Sequence, residues 1–397
     1  MSMNHTLEIR GLGPLEKCKV ERVPFMIVTG EQASGKSTVA KTIYFFRTIK
    51  EDIVRLAEQR ALCRPATPGY LESSSLPGTA ARSLRESLED HLRTKFQSMF
   101  GPAAYLRKDM QLSCHYTDDC RMKIFLKSGG SAPDRPCLEI EMSDALRSLL
   151  ESAEHALSPH AESLPAQKRE LQERLRVLFD DPCPVVFIPA GRSVVTVLSA
   201  QLLYFYGAID DSLKRALDYC TRDYVERVLK LRPEFSGGLD GLLIQRPDAR
   251  LPSLDTALHT ARALVRQILR GSYWYADGEE RLVTDDTQCV RINNASSGQQ
   301  ESVWVLNLLF YYLVRNRPVL FIIEEPESPL SPESQKRIAE LMALVHSQGH
   351  SFVATTHSAY VLETLNKCLH TATVENADKN GSTGAIGLDL CRLGRRA

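Results

Sequence analysis

Gly30-Glu31-Gln32-Ala33-Ser34-Gly35-Lys36-Ser37 spaces two glycines, a lysine and a hydroxyl as G-x-x-x-x-G-K-[ST], with Thr38 directly after. Glycines at those positions let the backbone curl so that its N–H groups face phosphate oxygens. Lys36 would then reach the β/γ phosphates and Ser37 would ligate Mg²⁺. Three more groups have matching chemistry. Glu324-Glu325 ends an apolar run, and alternation along a strand would send the two carboxylates in different directions. Glu324 is therefore assigned to Mg²⁺ and its waters, and Glu325 to activating the attacking water. His357 closes another apolar run, where a neutral imidazole can hydrogen-bond a γ-phosphate or the attacking water. Ser296-Ser297-Gly298-Gln299 supplies small hydroxyls, a glycine and an amide to the start of a helix, an end that favours anions.

These groups need a sheet edge to hold them. Pro24 to Val28, Val319 to Ile323 and Phe352 to Thr356 are short apolar runs of the kind found in central parallel strands, and the segment from Ser37 to Tyr44 continues as a helix. Val185 to Ile188 is a fourth run, followed by Pro189-Ala190-Gly191-Arg192-Ser193. The expected fold class is α/β, a mixed sheet with flanking helices that aligns the four motifs at its carboxyl edge.

The four motifs resemble the ABC-type ATPase head shared by chromosome-cohesion and DNA-repair ATPases, and more closely the compact bacterial branch that includes the OLD (overcoming lysogenization defect) family. Gly30 to Ser37 carries the resemblance, with Ser296-Ser297-Gly298-Gln299 as a variant of the Leu-Ser-Gly-Gly-Gln signature. Glu324-Glu325-Pro326-Glu327-Ser328-Pro329-Leu330-Ser331-Pro332 and Thr355-Thr356-His357-Ser358 complete it. The resemblance implies a P-loop ATPase using ATP and Mg²⁺ as a head-to-tail dimer, each signature touching the γ-phosphate held by its partner. Residues 328–331 would cross that interface. Ser331 stands where relatives usually carry histidine, and residues 7–20 offer no aromatic ring for adenine. Gln201 is the candidate for the glutamine that links nucleotide to the middle lobe. Arg192 is either a nucleotide sensor or an ordinary surface arginine.

The chain has 397 residues, 43% hydrophobic, with 49 basic and 49 acidic residues. That length accommodates one elaborated ATPase domain plus an insertion, and zero net charge provides no global field for nucleic acid. Ten cysteines without a C-x-x-C pair argue against zinc and for a reducing compartment. Cys114 and Cys120, flanking His115, read as strand residues. With no leader and no apolar stretch of membrane length, a soluble cytoplasmic protein is expected.

About 260 residues separate the P-loop from the signature, too few for the long coiled-coil arm of cohesion-type relatives. The expected division is a head formed by 1–48 and 181–397, with a helical lobe near 205–275, and a helical and β-hairpin insertion at 49–180. Within the insertion, 49–64 and 80–100 read as helices, and 111–116, 121–126 and 137–142 as strands, with a turn at 129–133. Lys214, Arg215, Arg222 and Arg227, near Tyr219, Tyr224 and Trp274, form either a basic-aromatic nucleic-acid surface or a solvated helix over a core. About forty residues follow His357, too few for the nuclease module of OLD-type relatives, so the expected output is a separate nuclease or toxin controlled by an ATP-driven dimer or higher oligomer in anti-phage defence. The alternatives are a DNA-repair clamp that closes on DNA directly and an ATP-loaded scaffold that stores an effector.

Overall fold

The structure is a computed structural model that describes residues 5–63, 82–127, 136–156, 164–193, 196, 218–245, 252–284, 288–368 and 388–393. Its strands are β1 (Thr6–Leu12), β2 (Leu15–Glu21), β3 (Phe25–Gly30), β4 (Gln111–His115), β5 (Arg121–Lys127), β6 (Cys137–Met142), β7 (Val185–Ile188), β8 (Ser272–Ala276), β9 (Glu279–Val283), β10 (Cys289–Arg291), β11 (Leu320–Glu324), β12 (Ser351–Thr356) and β13 (Leu388–Leu393). The chain divides into two compact units, Met1–Arg22 with Lys41–Pro182 and Val23–Ala40 with Cys183–Ala397. This division places 1–22 and 41–48 with the segment 49–180, whereas motif order alone had assigned them to the head.

The second unit is built on a five-stranded sheet of order β13-β3-β12-β11-β7, parallel throughout. Val185–Ile188 and Leu320–Glu324 are buried at every position, and Phe25–Val28 is buried along its length, as strands covered on both faces must be. Register aligns Phe321, Phe352 and Phe25 across three neighbouring strands. Their rings stack at 5.2 and 5.1 Å, adding aromatic contact to the backbone ladder. The same register brings the carboxyl ends of β3, β12, β11 and β7 to one edge, pairing Thr356 with Thr29, Glu324 with Thr355, and Ile323 with Ile188. Helices Pro252–Leu269, Ser297–Arg315 and Pro332–Ser347 pack on one another, and the core includes Trp304, Phe310, Leu341 and Val265. β8, β9 and β10 form a small antiparallel sheet, with Asp277-Gly278 at positive φ in the β8–β9 turn, where glycine meets no Cβ penalty.

The first unit contains an antiparallel sheet of order β2-β1-β4-β5-β6. Its strands alternate, with Ile9, Leu112, Cys114, Met122, Ile124 and Leu138 buried between more exposed neighbours, as a one-sided sheet requires. Burial pushes the Cys114 and Cys120 thiols up to about 12, which makes them inert packing groups; Cys114 lies in β4 as expected, whereas Cys120 falls in the turn just before β5. Helices Ile49–Cys63, Leu84–Phe100, Asp144–Ala156 and Leu164–Leu178 belong to this unit. Between the first two, Lys95 Nζ donates to Thr48 Oγ1 at 2.6 Å and Asp52 Oδ2 at 2.5 Å. Burial acts to raise the Asp52 carboxyl, but Lys95, His91 and Arg55 outweigh it and hold the group at about 2.

The α/β class with flanking helices is as expected, with parallel and antiparallel pairing confined to separate sheets. The longest described helix, Ser297–Arg315, has 19 residues, so no long coiled coil exists among the described residues. No described helix is long and apolar enough to cross a membrane. The turn at 129–133 and the whole of the segment 205–217 lie outside the described residues.

Candidate functional site

β3 ends at Gly30 and a helix begins at Lys36, so the intervening loop presents its backbone at the positive end of that helix. Gly35 has φ +101° and Gly30 φ +155°, which explains the glycines, and Ala33 also adopts a left-handed conformation at φ +60°. Lys36 is buried, and its Nζ donates to the carbonyls of Gly30 at 3.0 Å and Glu31 at 2.7 Å. Burial lowers the ammonium from its ordinary value, and the Glu325 charge opposes that shift. Ser34 Oγ is buried without a hydrogen-bond partner, whereas the Glu31, Gln32, Ala33 and Ser37 side chains are exposed. A loop whose lysine covers its own carbonyls, with a buried hydroxyl still to be satisfied, suits a phosphate chain.

Glu324 and Glu325 occupy different environments. Glu324 closes β11 and is 5% exposed. Its Oε2 accepts from the Ala190 N–H at 3.2 Å, and its Oε1 is buried and unpartnered. A hydrated divalent cation would satisfy that oxygen, so Glu324 and the exposed Ser37 fit Mg²⁺. Glu325 leaves the strand at φ +44°, a conformation that costs a non-glycine residue about 1–3 kcal/mol and persists only where its surroundings impose it. Its N–H donates to Thr355, to the carbonyl at 3.0 Å and to Oγ1 at 3.2 Å. The Glu325 carboxylate is thereby turned out of the sheet, 39% exposed, with Oε1 3.8 Å from His357 Nε2, itself 41% exposed. Lys36, Glu325 and His357 thus gather at one edge, as their positions after β3, β11 and β12 predict.

Glu327 has a role that the motifs did not indicate. Its Oε1 accepts from Thr356 Oγ1 at 2.6 Å and from the His357 N–H at 2.9 Å, so a buried carboxylate seats the loop that carries the histidine. Ser358 completes that seat by capping the following helix, 359–368, through Val361 N at 3.2 Å. Glu327→Ala should destabilise the protein by about 2 kcal/mol, because a buried hydroxyl and a half-buried N–H lose their acceptor. Glu327→Gln should restore most of that loss. Denaturant unfolding measures both, and equal stability of the alanine and wild-type proteins would remove Glu327 from this role.

The signature stretch divides into structural and free parts. Ser296 is the N-cap of Ser297–Arg315, its hydroxyl accepting from Gln299 N while Gln299 Oε1 accepts from Ser296 N at 3.0 Å. Gln299 Nε2 also donates to the Leu269 carbonyl at 2.8 Å. Both side chains are therefore engaged within their own subunit by a capping box. Ser297 stays exposed at the helix start. A Cβ on Gly298 would sit 3.9 Å from both Leu330 Cδ2 and the Pro329 carbonyl, so the signature abuts the loop that follows the acidic strand. Ser331, which ends that loop, caps helix Pro332–Ser347 through Ser334 N.

Arg192 is not a surface residue, being 1% exposed. Nε donates to the Glu301 carbonyl at 3.0 Å; Nη1 donates to the Pro189 and Glu324 carbonyls at 3.0 and 2.7 Å; Nη2 donates to the Glu325 and Ser328 carbonyls at 3.1 and 3.2 Å. All five guanidinium N–H groups are committed to backbone, which leaves none for a nucleotide in this state. Burial lowers the guanidinium from its ordinary value, against the opposing effect of Tyr224 and the Glu301, Glu327 and Glu324 carboxylates. Glu301, missed from sequence, is the one acid of a largely apolar, buried helix and stands in its second turn, and that contrast was the available signal. Gln201, Lys214 and Arg215 lie outside the described residues. Tyr219 and Tyr224 are buried, and Arg227 donates to Tyr312 Oη at 2.9 Å. The described part of that segment is a helix over a core that takes up both tyrosines, whereas Trp274 is 40% exposed.

A protein-family model described as "AAA domain, putative AbiEii toxin, Type IV TA system" matches residues 193–363, which include the signature, the acidic strand and the histidine but not the P-loop. Solved structures similar to the chain include an SMC head bound to the C-winged helix domain of ScpA, at TM-score 0.41, 12% identity and 91% of each chain covered. An SMC head domain from Thermotoga maritima gives TM-score 0.36 and 9% identity over 91% of each chain. An Smc head with an extended coiled coil bound to the C-terminal domain of ScpA, derived from Pyrococcus furiosus, gives 0.40 and 12% over 92% of each. No curated protein matches the chain. A P-loop, an acid-ended strand and a histidine-bearing strand end meet at one parallel sheet edge, and the segment that carries the last two matches the AAA-domain family model.

Proposed function

We propose that the chain binds and hydrolyses Mg-ATP as a head-to-tail pair whose closure switches a separate effector, a nuclease or toxin, in anti-phage defence. The observation that carries the ATPase reading is the gathering of Lys36, Glu324, Glu325 and His357 at one sheet edge, each in a different environment. Lys36 and the loop N–H groups hold the phosphates, and Lys36 exchanges its loop carbonyls for phosphate oxygens as it does so. Mg²⁺ held by Ser37 and Glu324 neutralises charge building on the phosphate oxygens. Glu325, held out of the strand by Thr355, takes the proton from water, and His357 beside it orients that water or the terminal phosphate. Ser297 and Gly298, the part of the signature not consumed by capping, close the partner's site. A closed and an open pair differ in the surface offered to an effector, and only such a difference in affinity makes a switch. The defence role and the effector rest on the family resemblance alone.

Pairing is tested by Ser297→Arg, which places a bulky cation where the partner's nucleotide would dock. The variant should keep the ATP affinity of its own loop and lose the ATP-dependent dimer in light scattering. Mixed with Lys36→Ala chains it should regain part of the turnover, because one composite site then stays intact. Full activity of Ser297→Arg alone would sink the head-to-tail arrangement.

A further inference from the structure

We infer that Arg192 is a positioning residue that makes the geometry of Glu325 depend on how the signature helix is seated; the inference rests on the ATPase reading above. One guanidinium touches three parts of the site. It holds the carbonyls of Glu324 and Glu325 at the acidic strand end and that of Ser328 in the loop beyond. On its other side Nε holds the Glu301 carbonyl, and the Arg192 N–H donates to Glu301 Oε2 at 2.8 Å. Glu301 stands four residues after Ser297, one helical turn from the exposed start of the signature helix. Any shift of that start therefore reaches Arg192 through Glu301, and reaches the Glu325 backbone through Arg192.

Glu325 is where such a shift would matter most. Its left-handed backbone is clamped on both sides, the N–H by Thr355 and the carbonyl by Arg192. Releasing one clamp lets the residue relax toward ordinary φ, which turns the carboxylate away from His357. Seating of the signature on a partner's nucleotide is then communicated to the catalytic carboxylate of the same chain, so that hydrolysis waits for closure. Lysine cannot replace the arginine, because three donors on one nitrogen cannot span five carbonyls held by a planar fork.

The test is a double-mutant cycle read by turnover and ATP affinity. Arg192→Lys should fold, keep KM for ATP within about 3-fold and lose kcat by about 10-fold or more, since misplacing a catalytic group slows chemistry without weakening ground-state binding. In a Glu325→Gln background the same substitution should cause no further loss of the residual single-turnover rate, because the group it positions is already gone. Unchanged kcat, or an equal loss in both backgrounds, overturns the positioning role. Should Arg192→Lys fail to fold, Glu301→Gln, which keeps shape while removing the carboxylate charge that Arg192 faces, is carried through the same cycle with the same two outcomes. Turnover in the wild type that vanishes in Lys36→Ala yet persists in full in Arg192→Lys defeats this inference and leaves the ATPase reading standing. A wild-type chain with no turnover defeats both.

Discussion

Glu325→Gln should lower ATP turnover by about 10²- to 10⁴-fold while ATP binding survives, the range a general base contributes. The amide keeps the shape of the side chain, and the backbone clamp on Glu325, made by Thr355 and Arg192, does not involve the carboxylate. Only the proton acceptor is lost. With hydrolysis blocked and binding intact, an ATP-bound dimer should accumulate in light scattering, and an effector that recognises the closed state should co-purify with this variant more than with wild type. Glu324→Gln is the control. It changes the oxygen pair that bonds Ala190 N and leaves Oε1 free for the metal, so its defect should be eased by raising Mg²⁺. If Glu324→Gln traps the dimer and Glu325→Gln turns over normally, the two carboxylates have exchanged roles.

Lys36→Ala should weaken ATP binding by about 10²-fold or more, a loss of about 3 kcal/mol, measured by calorimetry or a fluorescent analogue. In the ligand-free state the ammonium is already desolvated and bonded only to the carbonyls of Gly30 and Glu31. Exchanging those neutral acceptors for charged phosphate oxygens strengthens its hydrogen bonds, and alanine removes that gain. The loop itself should keep its shape, because its turn conformations belong to Gly30, Ala33 and Gly35 and alanine is well tolerated at a helix start. ATP affinity equal to wild type would remove this loop from the site.

The sequence by itself determined the chemistry at hand and the strands that present it. Continuous apolar runs ending in Gly30, Glu324 and Thr356 can be stable only when covered on both faces, and parallel strands so covered must end at a common edge, so Lys36, Glu325 and His357 were legible as neighbours before any fold was known. Alternating polar and apolar residues likewise marked β4, β5 and β6. Tertiary structure alone decided which members of each motif are taken up in holding the others. Ser296 and Gln299 proved to be cap residues. Glu327 took charge of the His357 loop across 30 positions, and Arg192, open between sensor and surface residue, became the buried tie between acidic strand and signature helix. β13 beside β3, and the pairing of β1 with both β2 and β4, were equally invisible. The reason is range. Periodicity and spacing report on neighbours within a turn or a strand, whereas Arg192 bonds groups 109 to 136 positions away, and a buried polar group's partners are chosen by the packed fold that brings them near.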